Sequence, residues 1–149
     1  MSALKRTTSD DADFINLVIL LDQDLKIRDG LEHFFFAQFN KLDIIRNVVV
    51  YYSDNIPVGC GAFKKYDAQT VEIKRMYVKE EFRRNGIAGK ILKELESWAN
   101  ESGFSACVLE TGKKQPEAIR LYQNSGYEII PNYGQYENVE NSVCMRKVI

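Results

Sequence analysis

The stretch V-E-I-K-R-M-Y-V-K-E-E-F-R-R-N-G-I-A-G-K, Val71 to Lys90, decides how the rest of the chain is read. Its first half is β-branched and aromatic and suits a strand; its second half is a glycine-containing loop. The loop feeds a helical pattern in which Ile87, Ala88, Ile91, Leu92, Leu95, Trp98 and Ala99 share one face. Small residues entering a helix leave free N–H groups at the positive end of the helix dipole, a natural seat for phosphate. Within the strand, apolar residues fall at Val71 and Ile73 and then slip to Met76 and Val78. A slip of one in a period-2 pattern is what a β-bulge produces.

Outward toward the N-terminus, Asn47 to Tyr52 is a strong strand, Ser53-Asp54-Asn55 a turn, and Pro57 to Lys65 a second strand, so the pair reads as an antiparallel hairpin. Gly59 and Gly61 inside the second strand point to close packing or irregularity. Leu4 to Thr8 suits a short opening strand, and Ser9-Asp10-Asp11 a helix start. Phe14, Leu17, Val18 and Leu21 give that helix an apolar face. A further helical segment is expected over Leu31 to Phe39, carrying the aromatic cluster Phe34-Phe35-Phe36, where core packing and a cleft lining both remain open.

Outward toward the C-terminus, Gly103 ends the Gly86 helix, and Ala106 to Thr111 is a buried-strand candidate. Strand, crossover helix and strand make a βαβ-like unit, so the two strands are expected to lie parallel. Pro116 fits the first turn of another helix that stops at Gly126. Tyr127 to Ile130 and Ser142 to Val148 are the last strands, joined by the polar, tyrosine-bearing loop 131–141. The expectation is one α/β domain over residues 1–149, a mixed sheet of about seven strands with about four helices.

Composition excludes several classes. At 149 residues, 45% hydrophobic and 28% charged, the chain is an ordinary globular protein. A net charge of −1 gives no general attraction to nucleic acid or to an anionic membrane. No apolar run approaches the roughly 18 residues of a membrane span. Cys60, Cys107 and Cys144 are scattered within apolar runs, which suggests reduced buried thiols and a cytoplasmic protein; with His33 the lone histidine, no metal site is expected.

Three glycine-loop readings compete for residues 83–90. A Walker loop fails because Gly89-Lys90 is followed by Ile91 and position 84 is Arg. A dinucleotide fingerprint fails because the segment offers only Gly86-Ile87-Ala88-Gly89. The third form, Arg-x-x-Gly-x-Ala at Arg83, Gly86 and Ala88, matches in residue type and in position between strand and helix.

That form resembles the acetyl-CoA-binding motif of the GNAT (GCN5-related) N-acetyltransferase superfamily, Gln/Arg-x-x-Gly-x-Gly/Ala. A second segment, L-E-T-G-K-K-Q-P-E-A-I-R-L-Y-Q-N-S-G-Y over Leu109 to Tyr127, is similar to the family's following strand and helix, including Ala118-x-x-x-Tyr122 and Gly126-Tyr127. Together the two cover roughly residues 56 to 130. The resemblance implies a central, mostly antiparallel mixed sheet with a splayed parallel strand pair between which the pantetheine arm lies. It implies acetyl-CoA as co-substrate, its pyrophosphate held at Arg83, Arg84, Asn85, Gly86, Ile87, Ala88, Gly89 and Lys90, and its arm and thioester near Met76, Tyr77 and Val78. Gln115 stands where the family usually has Asn, so an amide is kept but its reach differs.

The implied activity is transfer of an acetyl group to a primary amine by direct attack in a ternary complex. Such chemistry needs a base for the amine and an acid for the departing thiolate. Tyr122 is the acid candidate, also in contact with the cofactor. Glu72 is the base candidate, Glu110 is a second, and a water chain stays open. A small-molecule amine is the expected acceptor, with no nucleic acid or membrane partner, and a homodimer is left open. The rival readings are an acyl-CoA sensor without turnover and a binder of another phosphate ligand.

Overall fold

The expected strand from Val71 runs from Thr70 to Val78 in the computed structural model, which describes residues 1–29 and 44–149. It is the fourth of seven strands: β1 (Ser2–Thr7), β2 (Asn47–Ser53), β3 (Ile56–Lys65), β4 (Thr70–Val78), β5 (Ala106–Gly112), β6 (Glu128–Ile130) and β7 (Ser142–Val148). They form one sheet in the order β1-β2-β3-β4-β5-β7-β6. All neighbours are antiparallel except β4 and β5. The mixed, mostly antiparallel sheet is therefore as expected. Three α-helices lie among the described residues: α1 (Ala12–Asp29), α2 (Ile87–Glu101) and α3 (Pro116–Asn124). The fourth expected helical segment, with the Phe34 cluster and His33, falls outside the described residues.

Local chemistry accounts for the helix positions. Asp11 caps α1, its Oδ1 accepting the N–H groups of Asp13 at 2.9 Å and Phe14 at 3.1 Å. Helix α2 buries Ile87, Ile91, Leu92, Leu95 and Ala99, one stripe at helical spacing, against Val49, Val71, Ile73, Leu109 and Met145. Full burial of each large apolar side chain stabilises by about 1.5–3 kcal/mol. The opposite sheet face packs Val48, Val50, Cys60 and Ala62 under Phe14 and Leu17 of α1. All three cysteines are buried free thiols.

Two irregularities in β4 position everything that follows. The register with β3 steps from Cys60–Tyr77 to Ala62–Lys74, and Arg75 has φ +60°. This is the bulge that the phase slip anticipates: Val71, Ile73 and, after the slip, Met76 face α2, whereas Tyr77 packs on the α1 side. Gly61 sits opposite, and a Cβ there would lie 2.5 Å from Met76 Sδ and 2.9 Å from both Ile91 and Leu95. The second irregularity is the parallel pairing, which covers Thr70–Ala106, Val71–Cys107 and Glu72–Val108 and then ends. Beyond Glu72, β4 and β5 diverge.

Candidate active site

The divergence opens a groove of about 910 Å³ whose walls include Met76, Tyr77 and Val78 at the end of β4, Gln115 just before α3, and Ala118 and Tyr122 from α3. Leu21 and Asp24 of α1 also border it, and the loop before α2 closes one end. Deeper in the splay lies a chamber of about 130 Å³, with Glu72, Lys74 and Arg75 from β4, Glu110 from β5 and Tyr136 in its wall. Tyr122, Gln115 and Met76 border both spaces. The junction between groove and chamber is thus at Tyr122.

The loop has the geometry of an anion cradle. Gly86 adopts φ +75° at the entrance to α2, a conformation that favours glycine. The first helical hydrogen bond is Lys90 N–H to the Gly86 carbonyl at 3.1 Å. The N–H groups of Ile87, Ala88 and Gly89 precede it and have no backbone acceptor among the described residues. A Cβ at Gly89 would meet nothing within 4 Å, so a ligand can approach the backbone there. These amides at the start of a 15-residue helix, with Arg83 and Arg84 beside them, fit a pyrophosphate.

The basic residues divide. Arg84, at φ +68°, and Arg83 border the groove. Part of the Arg83 guanidinium is already engaged: Nε donates to the Val78 carbonyl at 2.7 Å, Nη2 lies 3.7 Å from Asp24, and the group sits 5.5 Å from the Tyr77 ring centroid. Arg83 therefore ties the loop to the end of β4. Lys90 and Asn85 are not in the groove wall. One helical step past Gly89 turns Lys90 to the flank, where its ammonium lies 5.9 Å from the Tyr51 ring centroid. The Asn85 amide turns back to donate to the Phe82 carbonyl at 3.1 Å.

Tyr122 is buried, with its ring edge-on to Tyr127 at 5.8 Å. Burial, and then the negative charge of Glu110, push the pKa of its hydroxyl well above the ordinary tyrosine range, so it holds its proton. Glu72 is 5% exposed and lies on the α1-side face of β4 with Lys74, at 7%. Its Oε2 accepts a 2.6 Å hydrogen bond from the Tyr133 hydroxyl, and its Oε1 is 3.7 Å from Lys74 Nζ. Burial and the Glu72 charge keep Tyr133 protonated, as a donor must be. Tyr133 is itself packed between Tyr66 at 5.0 Å and Tyr136 at 5.9 Å. Glu110 accepts a 2.6 Å bond from the Ser142 hydroxyl. The two sequence candidates for a base thus stand on neighbouring strands of one chamber.

Sequence reasoning missed two members of this set, Lys74 and Arg75, and the bond that brings Tyr133 of the 131–141 loop to Glu72. Lys74 was legible, since it is two residues from Glu72 and must share its face. Arg75 is the bulge residue, visible only as the place where alternation slips. The Tyr133–Glu72 bond joins residues 61 positions apart and has no local signal.

Comparison with known proteins agrees with this geometry. Over 83 residues the chain is 42% identical to a Xenopus tropicalis protein provisionally named N-acetyltransferase 14, an alignment covering 55% of this chain and 40% of that one. It is 33% identical over 91 residues to an uncharacterized N-acetyltransferase of Bacillus subtilis, covering 60% of each. The chain thus spans less than two thirds of the length of these curated relatives. Its fold superposes at a TM-score of 0.83 on a Klebsiella pneumoniae protein provisionally described as an acyl-CoA N-acyltransferase, with 27% identity over 99% of this chain and 97% of that one. Residues 17–127 match the Acetyltransferase (GNAT) family, and with most of its length matched the chain belongs to that family.

Proposed function

We propose that the chain is an acetyl-CoA-dependent N-acetyltransferase acting on the primary amine of a small molecule by direct attack in a ternary complex. The observation that carries this reading is the continuous path from the α2 amides, along the splay, to a chamber holding Glu72, with Tyr122 at the junction. Bound acetyl-CoA would supply a thioester-activated acetyl group. The amides of residues 86–89, with Arg83 and Arg84, would hold its pyrophosphate. The backbone at Met76, Tyr77 and Val78, with the Gln115 amide, would hold its arm. An N–H from that backbone would take the negative charge that develops on the acyl oxygen.

Glu72 would accept the proton of the attacking amine, directly or through water. Glu110 is the alternative acceptor on the neighbouring strand. Tyr122, kept neutral by burial, would donate its proton to the departing sulfur. Attack on the acyl carbon needs no acyl-enzyme, and the three thiols, all buried, are poorly placed to form one.

The test is calorimetry with acetyl-CoA, CoA and ATP, followed by a thiol-release screen over amino acids, polyamines, aminoglycosides and peptides. Acetyl-CoA should bind in preference to ATP and at least one amine should be acetylated. A clear preference for ATP refutes the reading. Tight acetyl-CoA binding with no turnover would instead support a sensor.

A further inference from the structure

The inner chamber bears on the chemical class of the acceptor, an inference that rests on the acetyltransferase reading above. Its wall carries charges of both signs: the carboxylates of Glu72 and Glu110, and the cations of Lys74 and Arg75. Most of this charge is engaged within the protein. Lys74 lies beside Glu72, and Glu110 takes the Ser142 hydroxyl. Arg75 is different. Its side chain is only 10% exposed, yet among the described residues it meets a single carboxylate, that of Asp22, through Nη1 at 3.2 Å. Asp22 is itself 51% exposed. A guanidinium has five N–H donors in a planar fork, so among the described residues most of this one's capacity is unused.

The backbone makes the placement deliberate. Arg75 is the extra residue of the β4 bulge and adopts φ +60°, where a side chain is strained and glycine is at ease. Its carbonyl accepts the Cys60 thiol at 3.3 Å, which helps hold the bulge. The bulge brings to the chamber wall a side chain that regular alternation would have put on the opposite face. A planar fork that is nearly buried and under-used matches a carboxylate.

We infer that the acceptor carries a carboxylate next to its amine, in the manner of an α-amino acid, with Arg75 binding the carboxylate while the amine faces Glu72. Size supports the adjacency. Arg75 and Glu72 are three positions apart on β4 and border the same space of about 130 Å³, so one short ligand can meet both. A diamine would bring a second cation to Arg75. A peptide or protein substrate would present its acceptor amine without a neighbouring free carboxylate.

The test pairs each of a panel of α-amino acids with its own carboxamide, and adds 1,4-diaminobutane, under saturating acetyl-CoA. The amide's amine is the more readily deprotonated of each pair, so intrinsic reactivity runs against the expected result. At least one amino acid should exceed its amide by about 10-fold or more in kcat/KM, the scale of a charge-assisted pair. Arg75→Gly, which removes the fork and relaxes the positive φ, should bring that ratio to about one while thermal stability holds. Arg75→Lys should restore only part of it, because a point charge replaces a fork. Equal turnover of acids and amides, preference for the diamine, or an unchanged ratio in Arg75→Gly overturns the inference and leaves the acetyltransferase reading standing. Silence of the whole panel with acetyl-CoA bound overturns it too. Failure to bind acetyl-CoA overturns both.

Discussion

Tyr122→Phe separates catalysis from binding more cleanly than any other single change in the molecule. The substitution removes one hydroxyl and keeps the ring that packs edge-on against Tyr127. No hydrogen bond holds that hydroxyl among the described residues, so stability should move by less than about 1 kcal/mol. Acetyl-CoA affinity should stay within about threefold, because the pyrophosphate amides and the end of β4 are untouched. Turnover is another matter. A positioned proton donor contributes about 10²–10⁴ in rate, which at about 1.36 kcal/mol per decade is roughly 3–5 kcal/mol of barrier. The expected result at saturating substrates is therefore a kcat at least about 100-fold lower with a near-normal acetyl-CoA Kd. Burial and the Glu110 charge raise the Tyr122 pKa, and an acid must be protonated to act. The wild-type enzyme should accordingly show no loss of activity from Tyr122 titration anywhere below about pH 10. Steady-state kinetics with calorimetry on the same samples decides the matter. A kcat within a few-fold of wild type refutes the acid role, and a comparable loss of acetyl-CoA affinity would recast Tyr122 as a binding residue.

Other perturbations probe the surrounding architecture. Glu72→Gln keeps the shape of the side chain and should lower kcat/KM about 100-fold with cofactor affinity intact; near-normal activity would shift the base role to Glu110 or to water. Tyr133→Phe removes the 2.6 Å bond to the buried Glu72 carboxylate and should cost about 1.5–3 kcal/mol in urea unfolding, with no change meaning that water replaces the donor. Gly61→Ala drives a Cβ to 2.5 Å from Met76 Sδ and 2.9 Å from Ile91 and Leu95, an overpacking worth about 1–3 kcal/mol that should also disturb the groove at Met76. Burial raises the thiols of Cys60, Cys107 and Cys144 from 9.0 to about 12, 11 and 11. The folded chain thus keeps protons that the unfolded chain releases above pH 9. Stability should be full below that point and fall between pH 9 and 11 by roughly 1.4 kcal/mol per unit for each thiol. Thiol titration with a disulfide reagent should report no reaction at pH 8 until the chain unfolds.

What the sequence disclosed and what it withheld follow the range of the interactions. The α2 entrance was legible because its determinants are contiguous: a strand, a glycine with positive φ and an apolar stripe at helical spacing lie within about twenty residues. The bulge was legible for the same reason, since a broken period within β4 is a local signal. The splay needed the resemblance of two separated segments, because nothing in β4 alone says where its pairing with β5 stops. Side-chain direction was harder still. Lys90 and Asn85 belong to the motif by position, yet one turns toward Tyr51 and the other folds back on Phe82, so motif membership did not predict contact with the groove. The inner chamber was least legible, and for a physical reason. Its character comes from Tyr133 reaching Glu72 across 61 residues and from Asp22 meeting Arg75 across 53. Such pairs form only after the sheet has brought distant segments together. The cofactor half of the site is written locally, as a backbone conformation with a helix behind it. The inner chamber is written in tertiary contacts, and the proposed recognition of a carboxylate rests on the strained, nearly buried Arg75 in its wall.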